Sequence, residues 1–129
     1  MEDNTFSEHQ NANRHANESA NSAIKGALFI NGGAAVSILG FLERFSSEQM
    51  PSVSSALLFF SWGVVAAVLT SASSYFTNFF LAEHIGDRSI RSRRLNIGFH
   101  ILSVLLLILS IVLFLGGVYA VRSALLYFG

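Results

Sequence analysis

Three long apolar blocks, at residues 24–45, 53–81 and 95–121, constrain this 129-residue chain more than any other feature. Each meets the ~20 residues needed to cross ~30 Å of hydrocarbon at 1.5 Å per residue. No Asp, Glu, Lys or Arg falls in the middle third of any block. Backbone polar groups left open to acyl chains cost several kcal/mol each, so such blocks must be helical. They also lack the period-two alternation of a membrane β-barrel. The expected fold class is therefore all-α: an integral membrane protein with three transmembrane helices. Composition agrees. Hydrophobic residues make up 52%, charged residues only 12%, and mean hydropathy is +0.52. Eight acids and eight bases are too few to clothe a soluble domain of this size.

Residues 1–23 are polar, with five asparagines, four acids (Glu2, Asp3, Glu8, Glu18) and the single Arg14. The leader is acidic and no small-x-small cleavage site follows it, so the first block is expected to remain as a membrane helix and not to be a cleaved signal. Ser7 and Gln10 fit a capping box that starts an N-terminal helix. The stripe Ala12, Ala16, Ala20, Ala23, Ala27 argues that this helix continues into the first span. Pro51 suits the first turn of the second helix. Gly86 can end that helix and Asp87 can cap the third. Tyr119, Tyr127, Trp62 and Phe45 are placed near the membrane–water interfaces.

Orientation follows from basic residues. Arg14, Lys25, Arg88, Arg91, Arg93 and Arg94 fall on one side, and Arg44 and Arg122 on the other. The six-charge side is expected inside, with the N-terminus cytoplasmic and the C-terminus periplasmic.

Lipid gives helices no hydrophobic reason to associate, so close packing and hydrogen bonds must hold them. The first span offers Ala27, Asn31, Ala34 or Ala35, with Gly32 and Gly33 beside them. The second offers Gly63, Ala67, Thr70 or Ser71, Ser74, and Thr77 or Asn78. Helix-packing positions are therefore Ala27, Gly32, Gly33, Gly63 and Ala67. Counting inward from Lys25, Glu83 and Arg94 puts Asn31, Asn78 and His100 at one depth. With Ser74 and Thr77 they make a polar layer, read either as interhelical glue or as the lining of a pore. Arg88, Arg91, Arg93 and Arg94 form a basic hairpin suited to anionic lipid headgroups or a phosphate-bearing ligand. Nucleic acid is not an expected partner, because no interleaved aromatics or recognised fold accompany the patch. His9 and His15 lie six apart, unlike a helical metal pair, and no cysteine is present, so neither a metal nor a cofactor is expected. His100 and Ser103 are the one pair resembling a nucleophilic arrangement, and they lack a third orienting group. No enzyme is expected.

The run Ala27-Leu28-Phe29-Ile30-Asn31-Gly32-Gly33-Ala34-Ala35 resembles a segment of small bacterial and prophage membrane proteins with an Asn-Gly-Gly-Ala-Ala core in their first membrane helix. The likeness covers residues 20 to 42. It implies a bacterial inner-membrane location and a role in phage–host conflict, and it carries over no catalytic residue. The leading expectation is a homo-oligomer that forms a pore or ion channel, or perturbs the membrane, as an effector of antiviral defence or lysis. The alternative is a non-catalytic anchor that binds a cytoplasmic protein partner through its N-terminal helix and Arg hairpin.

Overall fold

The computed structural model describes the backbone of residues 2–83 and 90–127, and the side chains of residues 11, 14, 15, 18–76 and 97–126. Helix α1 spans Glu2–Gly40, α2 spans Met50–Glu83 and α3 spans Ile90–Tyr127, with one 3-10 turn at Leu42–Arg44. The protein is all-α, with no strand among the described residues. Three stretches are long and apolar enough to cross a membrane: Glu18–Gly40, Met50–Phe76 and Ile97–Leu126. The chain is thus a multi-pass membrane protein by length and composition.

Consecutive helices run antiparallel. Ile38 near the end of α1, Val53 near the start of α2 and Ala124 near the end of α3 meet in one cluster. Helix α2 packs most extensively on α3 and less on α1, whereas α1 and α3 touch least. The bundle is therefore two furrows around a central α2.

The buried positions repeat every seven residues on each helix: Ile24, Asn31 and Ile38 on α1; Val53, Phe60 and Ala67 on α2; Ser103, Ser110, Gly117 and Ala124 on α3. A seven-residue repeat keeps one seam facing its neighbour when helices cross at a shallow left-handed angle. Large and small residues alternate across the seams. A Cβ built on Gly117 would lie 2.5–2.9 Å from three atoms of the Phe60 ring. One on Gly116 would lie 3.3 Å from Phe59. These two glycines admit aromatic side chains that any larger residue would displace.

Several expectations change. The first span ends at Gly40 and not at Phe45. Phe41 leaves the helix at φ −109°, ψ 8°, and Phe45 is extended. The helix already begins at Glu2, so Ser7 and Gln10 lie inside it and do not start it. The capping arrangement sits at Ser46 to Gln49, where the Ser46 amide donates to Gln49 Oε1 at 2.9 Å and the Met50 amide donates back to the Ser46 carbonyl at 3.2 Å. Pro51 does stand in the first turn of α2. Gln49 Nε2 also donates to the Ala124 carbonyl at 3.3 Å, fastening the connection to the end of α3. Trp62 is 61% exposed and neighbours Gly63, which meets Asn31 nine residues, ~13 Å of helical rise, before the end of α1, so it stands well inside the span and away from the interface. Tyr127's side chain, Gly86 and Asp87 lie outside the described residues.

Candidate functional site

The most constrained polar group is Asn31, with no exposed surface. Its Nδ2 donates to the Ala27 carbonyl at 2.9 Å, one turn back on α1. It also donates to Ser110 Oγ at 3.2 Å and approaches the Ser110 carbonyl at 3.4 Å, both on α3. Ser110 Oγ in turn donates to the Gly63 carbonyl on α2 at 2.8 Å. The hydroxyl has one proton, so giving it to Gly63 leaves its lone pairs to receive the Asn31 amide. All three helices meet in this node.

Gly63 makes the approach possible. A Cβ on that residue would collide with Oδ1, Cγ and Nδ2 of Asn31. Oδ1 is buried without a conventional hydrogen-bond partner and faces the Cα–H of Gly63. Carbon-bound hydrogens of this kind are weak donors that recur where helices cross closely. Turning the amide over would bring Oδ1 against the Ala27 carbonyl, two acceptors together, so the donor arrangement fixes its direction.

Asn31 meets Ser110 and Gly63 directly, so the three residues share one level of the bundle. His100 lies ten residues earlier on α3, ~15 Å away by helical rise, and it is exposed. Asn78 is fifteen residues beyond Gly63, ~22 Å along α2. The shared depth of Asn31, Asn78 and His100 does not hold. The reason is that six residues separate Asn31 from Lys25, whereas twenty separate Gly63 from Glu83 and sixteen separate Ser110 from Arg94, so the three charges do not mark one level. A lysine stem reaches outward, so a lysine Cα sits deeper than its charge.

Ala27, Gly63 and Ala67 are buried, Gly32 is half-buried and Gly33 is exposed. Ser74 is half-buried, and the side chains of Thr77 and Asn78 lie outside the described residues. So do those of Arg91, Arg93 and Arg94, and Arg88 entirely. Thr70 is buried and bonds its hydroxyl to Ala66. The Ser103 hydroxyl donates to the Phe99 carbonyl at 3.0 Å, within its own helix. No group of three metal-ligating side chains converges among the described residues.

Sequence reading noted Gly116 and Gly117 near the outer end of the third span but missed Ser110 and Ala124. Their signal was the seven-residue recurrence of small residues through the Leu- and Ile-rich third block.

The node's two hydroxyl and amide side chains should contribute unequally. Ser110→Ala removes the link to α2 and one acceptor of Asn31 together, while Asn31→Ala also removes the buried Oδ1. Interhelical bonds in membranes are worth about 0.6 kcal/mol, up to about 1.7. Ser110→Ala is expected near the upper figure and Asn31→Ala near the lower. Unfolding titrations in mixed micelles measure both.

No family model, curated protein or solved structure matches the chain.

Proposed function

We propose that the protein is a non-catalytic membrane anchor whose α1 arm presents a rigid helical surface to a protein partner at the cytoplasmic face. The observation that carries this reading is the continuity of α1. One helix of 39 residues runs from Glu2 to Gly40. Its apolar block begins at Ile24, which is also the first buried described side chain. The sixteen-residue rise from Glu2 to Glu18 is ~24 Å of helix ahead of that block. Arg14 and His15 both lie within 4 Å of Glu18, at 3.4 and 3.6 Å. Such exposed pairs add only a few tenths of a kcal/mol, enough to favour helix without fixing a tertiary contact. An arm continuous with a packed span moves with the bundle and fixes the partner's height above the membrane.

The competing function, a pore, was motivated by the helix-two stripe of Gly63, Ala67, Thr70 or Ser71, Ser74, and Thr77 or Asn78, and by the polar layer of Asn31, Ser74, Thr77, Asn78 and His100. Gly63, Ala67, Thr70 and Asn31 are buried within one chain's own bundle, which favours the anchor reading. The cytoplasmic arm and the bacterial inner membrane follow from the distribution of basic residues and from the Asn-Gly-Gly-Ala-Ala resemblance.

Two measurements test the anchor. Removing residues 2–17 should leave the bundle inserted and release a stoichiometric protein that copurifies with the whole chain. Proteoliposomes of the whole chain should hold an ion gradient as well as empty vesicles. Protein-dependent ion flux that survives removal of the arm would overturn the reading in favour of a pore.

A further inference from the structure

A furrow runs between α1 and α3 on the bundle's apolar surface. These two helices touch least, and near the Leu42–Arg44 end their separation leaves a groove of ~570 Å³. Ser37 and Ile38 form one wall, Val118 and Val121 the other, and Phe60 of α2 the floor. Ser37 adds no polarity, because its hydroxyl donates to the Gly33 carbonyl of its own helix at 2.8 Å. Arg122 is the only charged residue on the lining. Two residues further on, Ala124 is bonded to Gln49 of the connection. That contact places Arg122 within ~3 Å of helical rise from the end of the packed bundle. Among the described residues no carboxylate stands within ion-pair distance of it.

We infer that this groove is a binding site for one anionic glycerophospholipid, with an acyl chain along Ser37, Ile38, Phe60, Val118 and Val121 and the phosphate on Arg122. The groove opens sideways into the region where acyl chains are the solvent, so an acyl chain fills it without leaving its phase. An arginine at the edge of a span extends its guanidinium to the headgroup level. There it grips phosphate through two parallel N–H groups. Charge also argues against a second copy of this chain pairing groove to groove, since a two-fold contact would bring Arg122 toward its own equivalent. The site lies at the opposite end of the bundle from the α1 arm and from the start of α3 at Ile90, and it does not depend on the anchor reading.

Native mass spectrometry of the full chain tests the site with two probes, 1-palmitoyl-2-oleoyl phosphatidylglycerol and the matching phosphatidylcholine. One tightly held lipid is expected, with about fivefold preference for the anionic probe, the factor a single interfacial cation supplies. Arg122→Gln should abolish that preference while leaving helix content and micelle size unchanged. Arg44 lies at the same end but stacks on Phe41, 5.3 Å from the ring centroid, outside the groove lining. Arg44→Gln should keep the preference. Ser37→Phe, which places a ring in the groove, should reduce retention of both lipids at least fivefold. The inference is overturned if Arg122→Gln keeps the preference, if Arg44→Gln removes it equally, or if Ser37→Phe holds lipid as the parent does. A lipid-free dimer that Ser37→Phe splits would overturn it too, by assigning the groove to a second copy.

Discussion

Phe60→Ala lowers the stability of the bundle by about 3 kcal/mol, the largest effect expected of any single truncation in this chain. The ring is 2% exposed. It packs in the cluster of Ile38, Val53, Ala56 and Ala124, and its centroid lies 5.7 Å from that of Phe114. In soluble cores, removing such a ring costs about 3–5 kcal/mol, part from transfer to water and part from the cavity left behind. Here the separated helices would still sit in acyl chains, so the transfer part nearly vanishes and the cavity part remains. That argument selects the lower end of the range. Gly117 offers no side chain to fill the hole. Gly117→Val alone should cost about 1–3 kcal/mol, because its added atoms enter the space of the Phe60 ring. The double variant Phe60→Ala with Gly117→Val should cost less than the sum of the two. Denaturant titration of all three in one detergent reads the cycle.

Gly63→Ala is expected to cost about 1–3 kcal/mol, although it adds only a methyl group. The new Cβ falls on the Asn31 amide. That amide cannot rotate away without leaving Ala27 and Ser110. The decisive comparison is Gly63→Ala made in an Asn31→Ala background. With the amide gone, two methyl groups face each other without collision. The second substitution should then add almost nothing, and the two changes should differ from additivity by at least 1 kcal/mol. Equal costs in both backgrounds would mean that Gly63 matters for helix flexibility and not for the approach of Asn31.

The contrast between these two sites shows how the fold was legible. Three spans could be read from hydrocarbon length and the absence of central charge, because the bilayer imposes those terms on any sequence. The inward faces of α1 and α2 were legible as well. Small residues stand out among Phe and Leu at spacings of three and four, as Ala27, Asn31, Gly63 and Ala67 do. Helix α3 was harder. Ser103, Ser110, Gly117 and Ala124 lie seven apart, and in a block of Leu, Ile and Val each looks incidental until the repeat is followed through two turns at a time. Which polar group Asn31 meets was not legible at all. Depth was counted from charged residues, whereas Lys25, Glu83 and Arg94 do not mark one level. Trp62 was misplaced for a related reason. An aromatic preference for interfaces is a tendency of the population, whereas the depth of this residue is set by where Gly63 must meet Asn31.

The central claim is that the three spans close on one another within a single chain through Asn31, Ser110 and Gly63. Solid-state NMR of the protein in lipid bilayers tests it without any substitution. A through-space cross-peak between the Asn31 side-chain nitrogen and Ser110 Cβ is expected. Its intensity per labelled molecule should be unchanged when labelled protein is diluted into a fivefold excess of unlabelled protein. Absence of the peak, or its loss in proportion to dilution, would contradict the account, the second by showing that the contact runs between chains.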